Sequence, residues 1–309
     1  PVRADFETPG LLTSLYFKPC EDMWKPLPDD WVEIKVAAVG LNWKDLAISA
    51  GRFDMNTLSS EYSGIVYRVG SAVTNISVGD RVYGLGKGHF GNYVRVHAAT
   101  AQHLHPEDDL LKMATMPLVY MTVVYGFSYA TKLKRGEKLL IQSATGGLGM
   151  AAIQLAQSIG AEVFATVGTA DKAKYLAEVF RIPASRIFSS RATADFPKMT
   201  DATGGRGFNV ILSTSQGDML HESIKALAPL GRIIDVGRVD VQNSMTLNLA
   251  LFQKSATFSS FDLGVIVEAQ PEMSQILMQS VDEHFRAGNI APIPAILASN
   301  VSELDQTLL

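Results

Sequence analysis

The chain has 309 residues, of which 47% are hydrophobic and 19% charged, with a formal net charge of −4. That length suggests about two domains of roughly 150 residues each, and the near-neutral charge gives no basis for binding nucleic acid or an anionic membrane surface. The single cysteine, Cys20, excludes an internal disulfide framework and any multi-thiolate metal centre.

No apolar run approaches the ~18 residues of a membrane span, and no secretory leader opens the chain, so a cytoplasmic location is expected. The first residue is Pro1 rather than Met, and the charged fraction lies below the typical ~25%. Both fit a segment of a longer protein whose surface is partly covered by other domains.

In chain order, the region up to about Met116 alternates short β-like runs with turns: "WVEIKVAAVGLN", "YSGIVYRVGSAV", "VGDRVYGLG" and "GNYVRVHAA". Gly84, Gly86, Gly88 and Gly91 punctuate it as expected of a small irregular barrel or sandwich. From about Thr122 to Leu249 the runs "KLLIQS", "EVFATV", "RIFSS", "FNVILS" and "RIIDVG" alternate with helical stretches such as "GMAAIQLAQSIG" and "DKAKYLAEVF". That alternation predicts a parallel, doubly wound sheet. From about Ala250 the chain offers one amphipathic helix, "EMSQILMQSVDEHFRAG", and a Pro-rich turn. The basic run "KLKRGEK" ahead of the first parallel strand is expected to be a solvated turn.

The stretch "SATGGLGMAAIQLAQSIG" places Ala144, Gly146 and Gly149 on the G-x-G-x-x-G spacing of a dinucleotide-binding turn, with Gly147 and Leu148 between the last two. Alanine can replace the first glycine if that residue does not need a positive φ. Gly146 lets backbone N–H groups approach a pyrophosphate, Gly149 lets the helix pack closely on the strand, and the helix N-terminus favours the anion. The acid that would hold the ribose hydroxyls of NAD is missing; Val167–Gly168 stands there, followed by Thr169 and Lys172. Together with Ser190 and Arg191 after the third strand, these residues suit the 2′-phosphate of NADPH.

The ordered set "GLNWKDLAISAGRF", "EYSGIVYRVGSAV", "VGDRVYGLG", "SATGGLGMAAIQLA", "ATVGTADK", "IFSSR", "ATGGRGFNVIL", "LAPLGRIIDVGR" and "FSSFDL" covers nearly the whole chain. It resembles the enoyl reductase domain of polyketide synthases, the fungal highly reducing type above all, and of animal-type fatty acid synthase, within the medium-chain dehydrogenase/reductase superfamily. The resemblance implies an α/β protein with a GroES-like β-rich domain (residues 1–120 and 251–309) and an inserted Rossmann domain with a doubly wound parallel sheet (121–250). The cleft between them would be the active site. Relatives usually continue past a point like Leu309 into a short strand.

The implied activity is NADPH-dependent, zinc-independent reduction of a trans-α,β-unsaturated acyl thioester. The substrate would ride on the phosphopantetheine arm of an acyl carrier domain, with neighbouring synthase domains as further partners and neither nucleic acid nor membrane. Asn42 stands near the position of a ligand cysteine in zinc-dependent relatives, and His97, His103 and His105 show no ligand spacing, so no metal site is expected. Asn42 and Asp45 occupy matching cleft positions, Asp45 as a cap more than a catalyst, and Thr122 is expected beside the nicotinamide.

After the fifth strand, Gly237–Arg238 stands where relatives carry Gly-Lys; Gly264 replaces an aspartate, and Phe53 a tyrosine. A guanidinium is a poor proton donor but can bind a phosphate or an enolate oxygen, which makes Arg238 the second candidate catalytic residue beside Asn42. Two alternatives stay open: a catalytically impaired structural module of a synthase, and a free-standing zinc-free quinone oxidoreductase.

Overall fold

Strand β3 (Trp31–Val39) shows how the first part of the chain folds. Side chains alternate across a strand; Val32 and Ile34 enter a core with Tyr62, Val66, Val82, Val94 and Val96, while Glu33 faces away. Around β3 an antiparallel sheet runs in the order β6-β3-β4-β5-β7, made with β4 (Glu61–Val69), β5 (Arg81–Leu85), β6 (Tyr93–His97) and β7 (Ala101–His103). A separate hairpin pairs β1 (Val2–Phe6) with β2 (Leu15–Pro19). Helices α1 (Trp43–Ser49), α2 (Leu110–Met113) and α3 (Pro117–Val124) complete this region. The computed structural model describes every residue except 9, 53–57, 60, 87–89, 192–194, 295–296 and 309; Phe53 and Gly88 lie outside the described residues.

Register sets Glu33 opposite both Arg68 of β4 and Arg95 of β6. Its carboxylate accepts from Arg68 at 3.0 and 2.5 Å and from Arg95 Nε at 2.7 Å. Arg95 also donates to the carbonyls of Met23 and Lys25, tying that segment to the sheet. Burial alone would push the Glu33 carboxyl up, but the hydrogen bonds from the two arginines outweigh it and hold it below its ordinary range. Its stabilising contribution is therefore complete at neutral pH and is lost as the pH falls from the ordinary carboxylate range through that lower value. Arg95→Ala removes the more buried partner and is expected to cost about 3 kcal/mol in urea unfolding; an unchanged midpoint would show that the cluster is inert.

The second half is a six-stranded parallel sheet in the order β10-β9-β8-β11-β12-β13. Its strands are β8 (Lys138–Ile141), β9 (Glu162–Val167), β10 (Ile187–Ser189), β11 (Phe208–Ser213), β12 (Leu227–Asp235) and β13 (Thr257–Ser260). Helices α4 (Gly147–Ile159), α5 (Ala170–Val179), α6 (Phe196–Ala202) and α7 (Asp218–Lys225) alternate with them, followed by α8 (Val239–Gln242) and α9 (Leu263–Ala269). Leu140, Phe164, Phe208, Ile211 and Ile233 form a core with Met199, Leu220 and Ile224. The strand order reverses between β8 and β11, the topological switch of a doubly wound sheet.

The chain divides into two units: residues 1–119 with 274–282 and 292–309, and residues 120–273 with 283–291. The expected boundary at 250 thus differs from the observed one. β13 pairs with Arg232–Asp235 as a sixth strand, which carries the parallel sheet past it. Helix α10 (Pro271–Arg286) matches the expected amphipathic helix and buries Ser274, Leu277, Met278 and Val281. In the first unit Ala4 and Phe6 share a core with Ile48, Leu58, Leu304 and Leu308, the last two in and beside α11 (Leu304–Thr307). Among the described residues no helix is long and apolar enough to cross a membrane.

Candidate functional site

The carboxyl ends of β8, β9, β10 and β12 bring together most of the expected nucleotide-binding residues. After β8 the turn takes a positive φ at Ser143 (50°), not at Ala144, which is fully buried. This is why alanine is accepted in place of the first glycine. Gly146 is exposed and N-caps α4, whose first turn (Gly147, Leu148, Gly149) contains no acid to compete for the free N–H groups. A Cβ at Gly149 would lie 2.6 Å from Ala144 Cα, so the helix closes on the strand only with glycine there.

Behind the turn, the buried Gln142 donates to Ser223 Oγ at 2.7 Å and accepts from Ser215 Oγ at 2.5 Å and Thr214 N at 3.2 Å. This amide bridges the ends of β8 and β11 at the switch point, a role the sequence analysis missed.

At the end of β9 a Cβ on Gly168 would meet Arg191 Nε at 3.7 Å, Ser190 Oγ at 3.8 Å and Arg191 Nη2 at 3.9 Å. Ser190 is fixed by its N–H to the Val167 carbonyl at 2.9 Å. Thr169 N-caps α5 by accepting from Lys172 N at 3.3 Å, which sets Lys172 in the exposed first turn. Among the described residues neither Lys172 nor Arg191 is held in an ion pair. Gly168, the Ser190 hydroxyl and the Arg191 guanidinium thus lie together at the end of β9, with Asp171 the acid in the first turn of α5.

Gly237 follows β12 where a Cβ would press on the Thr214 backbone, with 3.0 Å to its carbonyl oxygen. Arg238 comes next in left-handed conformation (φ 56°) as the N-cap of α8. Its N–H reaches the buried Asp235 at 3.1 Å, a carboxyl that burial raises above its usual range. Its Nη1 donates to Asp262 Oδ2 at 2.9 Å, while its buried Nε has no partner among the described residues. Asp262 also N-caps α9 through Gly264 N. The sequence placed Arg238 at a strand end but did not reveal this carboxylate partner. Thr122 lies half-buried on α3.

In the first unit Asn42 N-caps α1 and Asp45 reaches back to its N–H at 2.7 Å. Asp45, 4% exposed, also accepts from Ser59 N at 2.6 Å, and burial raises its carboxyl above the ordinary range; the capping role expected of it is the one seen. Asn42 Nδ2 donates at 2.7 Å to Glu61 Oε1, and Glu61 Oε2 accepts from Leu118 N at 2.8 Å. Glu61 was missed, although an acid opening the buried strand "EYSGIV" is a signal in itself. His97, His103 and His105 contact Asp30, Asp80 and Glu107 separately. No group of three potential metal ligands occurs among the described residues, and an amide bonded to a buried carboxylate is a poor donor set for zinc.

Residues 28–106 match the alcohol dehydrogenase GroES-like domain and residues 147–283 the zinc-binding dehydrogenase family. The prosolanapyrone synthase of Alternaria solani is 62% identical over 308 residues, which is 100% of this chain and 12% of that protein. The highly reducing polyketide synthase xilA of Penicillium crustosum is 61% identical over 309 residues, again 100% and 12%. The CurK enoyl reductase superposes with a TM-score of 0.88 at 26% identity, covering 99% of this chain and 94% of its own. The two family models place the chain with GroES-like and zinc-binding dehydrogenases, and over 99% of its length it is similar to an enoyl reductase of known structure. The domain spans only about an eighth of the curated synthases it matches. Its GroES-like and Rossmann composition agrees with both the matched families and the superposed structure.

Proposed function

We propose that the domain reduces trans-α,β-unsaturated acyl thioesters carried on the phosphopantetheine arm of an acyl carrier domain, using NADPH and no zinc, within a cytoplasmic synthase. The observation that carries the cofactor choice is the end of β9, where Gly168 stands in place of an acid and leaves room beside Ser190 and Arg191. Gly146, Gly147, Leu148 and Gly149 would hold the pyrophosphate, with Gly168, Thr169, Lys172, Ser190 and Arg191 around the 2′-phosphate and Thr122 and Gly237 toward the nicotinamide. When bound, NADPH supplies the hydride for the β-carbon.

The remaining tasks belong to the chain. As the β-carbon is reduced, negative charge develops on the thioester oxygen, and donors aimed at that oxygen lower the barrier. Asn42 supplies one such donor: one amide hydrogen goes to Glu61, and the other remains for substrate. Arg238 supplies fixed positive charge. A guanidinium is a poor general acid, so the α-carbon proton comes from water or another side chain.

The pairing of Arg238 with Asp262 favours a second reading, a synthase module that binds cofactor without turnover. Mixing the protein with NADPH and a crotonyl pantetheine thioester while following NADPH absorbance decides between them. Thioester-dependent oxidation supports the proposal, and NADPH binding without turnover supports the module. Quinone reduction without enoyl turnover would mark a quinone oxidoreductase.

A further inference from the structure

We infer that Glu61 is a positioning residue that fixes the Asn42 side chain with its amide N–H groups, rather than its carbonyl oxygen, presented for chemistry. The inference rests on the proposed role of Asn42. Glu61 is 3% exposed and has been given room: a Cβ on Gly40 would fall inside its carboxylate. Among the described residues both partners of its carboxylate are uncharged donors, Asn42 Nδ2 and the Leu118 N–H in the first turn of α3, where backbone N–H groups lack intrahelical acceptors.

A buried carboxylate with two neutral donors is a costly way to fill a core. Its chemical effect is directional. An ionised carboxylate only accepts, so Asn42 must turn Nδ2 toward it. One amide hydrogen is used by that bond, and the second stays in the half-buried Asn42 side chain as a donor. Protonated Glu61 could instead donate to Asn42 Oδ1, turning the amide over and setting an oxygen lone pair where charge develops.

The surroundings make that protonation accessible near neutrality. Burial pushes the Glu61 carboxyl up to about 7; the bonds from Leu118 and Asn42 pull it back, and the Asp45 charge adds to the rise. Asp45 on α1, with Lys44 beside it, is the charged group facing Glu61 from that side. Across β5 the partner of Glu61 is the uncharged Leu85, and α2 meets the Gly40–Glu61 contact through the Ala114 carbonyl.

Two measurements on the whole chain test this. In the first, the Asn42 side-chain amide resonances of 15N-labelled protein, assigned by their loss in Asn42→Ala, are followed through neutral pH. They are expected to titrate in wild type near pH 7 and to stay fixed in Glu61→Gln. This readout needs no turnover, so it stands even if the enoyl-reductase reading fails. In the second, kcat and KM for crotonyl pantetheine thioester are measured on either side of pH 7. Wild-type kcat should rise with pH. Glu61→Gln should lose roughly 10- to 100-fold in kcat by analogy with other orienting partners, with a flat profile and unchanged NADPH affinity.

Combining it with Asn42→Ala should add little, because the two act as a unit. A Glu61→Gln variant that keeps the wild-type amide titration or the wild-type kcat profile overturns the inference; so does a loss that adds fully to that of Asn42→Ala. If Glu61→Gln does not fold, the wild-type amide resonances decide: no titration overturns it. A wild type that titrates but never reduces the thioester overturns the proposed function and leaves the placement of Asn42 by Glu61 intact.

Discussion

Replacing Lys172 and Arg191 together by alanine is expected to weaken NADPH binding roughly 100-fold while leaving NADH almost unchanged. Charge-assisted hydrogen bonds contribute about 1.5–3 kcal/mol each, and exposure of both side chains discounts the pair toward the lower end, near 3 kcal/mol in total. The expectation rests on the backbone at the end of β9. Gly168 puts no side chain between the β9 end and the Arg191 guanidinium, whose nearest atom would stand 3.7 Å from a Cβ there. Lys172 is set in the first turn of α5 by the Thr169 cap. Among the described residues neither cation has a carboxylate partner to lose, so the double variant should keep wild-type thermal stability. Fluorescence titration with both cofactors is the measurement, and an equal loss for NADPH and NADH would sink the phosphate assignment.

Arg238→Ala is expected to reduce enoyl-thioester turnover about 10- to 1000-fold, its upper part being the roughly 100- to 1000-fold seen when one oxyanion donor is removed, whereas Arg238→Lys should keep substantial activity. The side chain is held from two directions. Asp235 fixes its backbone N–H and Asp262 its Nη1, leaving the buried Nε without an acceptor among the described residues. A buried donor left unpaired costs about 1–3 kcal/mol, a cost that a bound acceptor would relieve. Asp262→Asn separates charge from placement: it keeps an acceptor for the α9 cap but weakens the hold on Arg238, so its turnover should fall between wild type and Arg238→Ala. An inactive wild type rescued by Arg238→Lys would identify a disabled site and favour the non-catalytic module.

What was legible in the sequence is what local periodicity encodes. The shift from β-like runs to strand–helix alternation, the glycine turn after β8 and the capping of α1 by Asn42 and Asp45 all depend on neighbours within a few residues. β13 was missed because Thr257–Ser260, "TFSS", has no apolar run and becomes a strand only through its parallel pairing with β12. Glu61, Gln142 and Asp262 were missed for another reason. Their partners lie 19, 81 and 24 residues away in the chain, and a buried polar side chain gains its role from the tertiary fold that satisfies it. For Arg238 the strand end was readable and the ion pair was not.

The core that joins Phe6 and Ala4 to Leu304 and Leu308 bears on how the chain is made. Elongating chains emerge N-terminus first, so Phe6 leaves the ribosome long before the residues it packs against. Most of the second unit is contiguous, from 120 to 273, and can close once α9 has been synthesised. The first unit must wait across a sequence separation of nearly the whole chain, the kind of distant contact that slows folding. Synthesis order therefore makes the parallel-sheet unit the earlier to form and leaves the β1–β2 hairpin without its partners until Leu304 and Leu308 arrive. Protease challenge of stalled nascent chains would show it as late protection of residues 1–19.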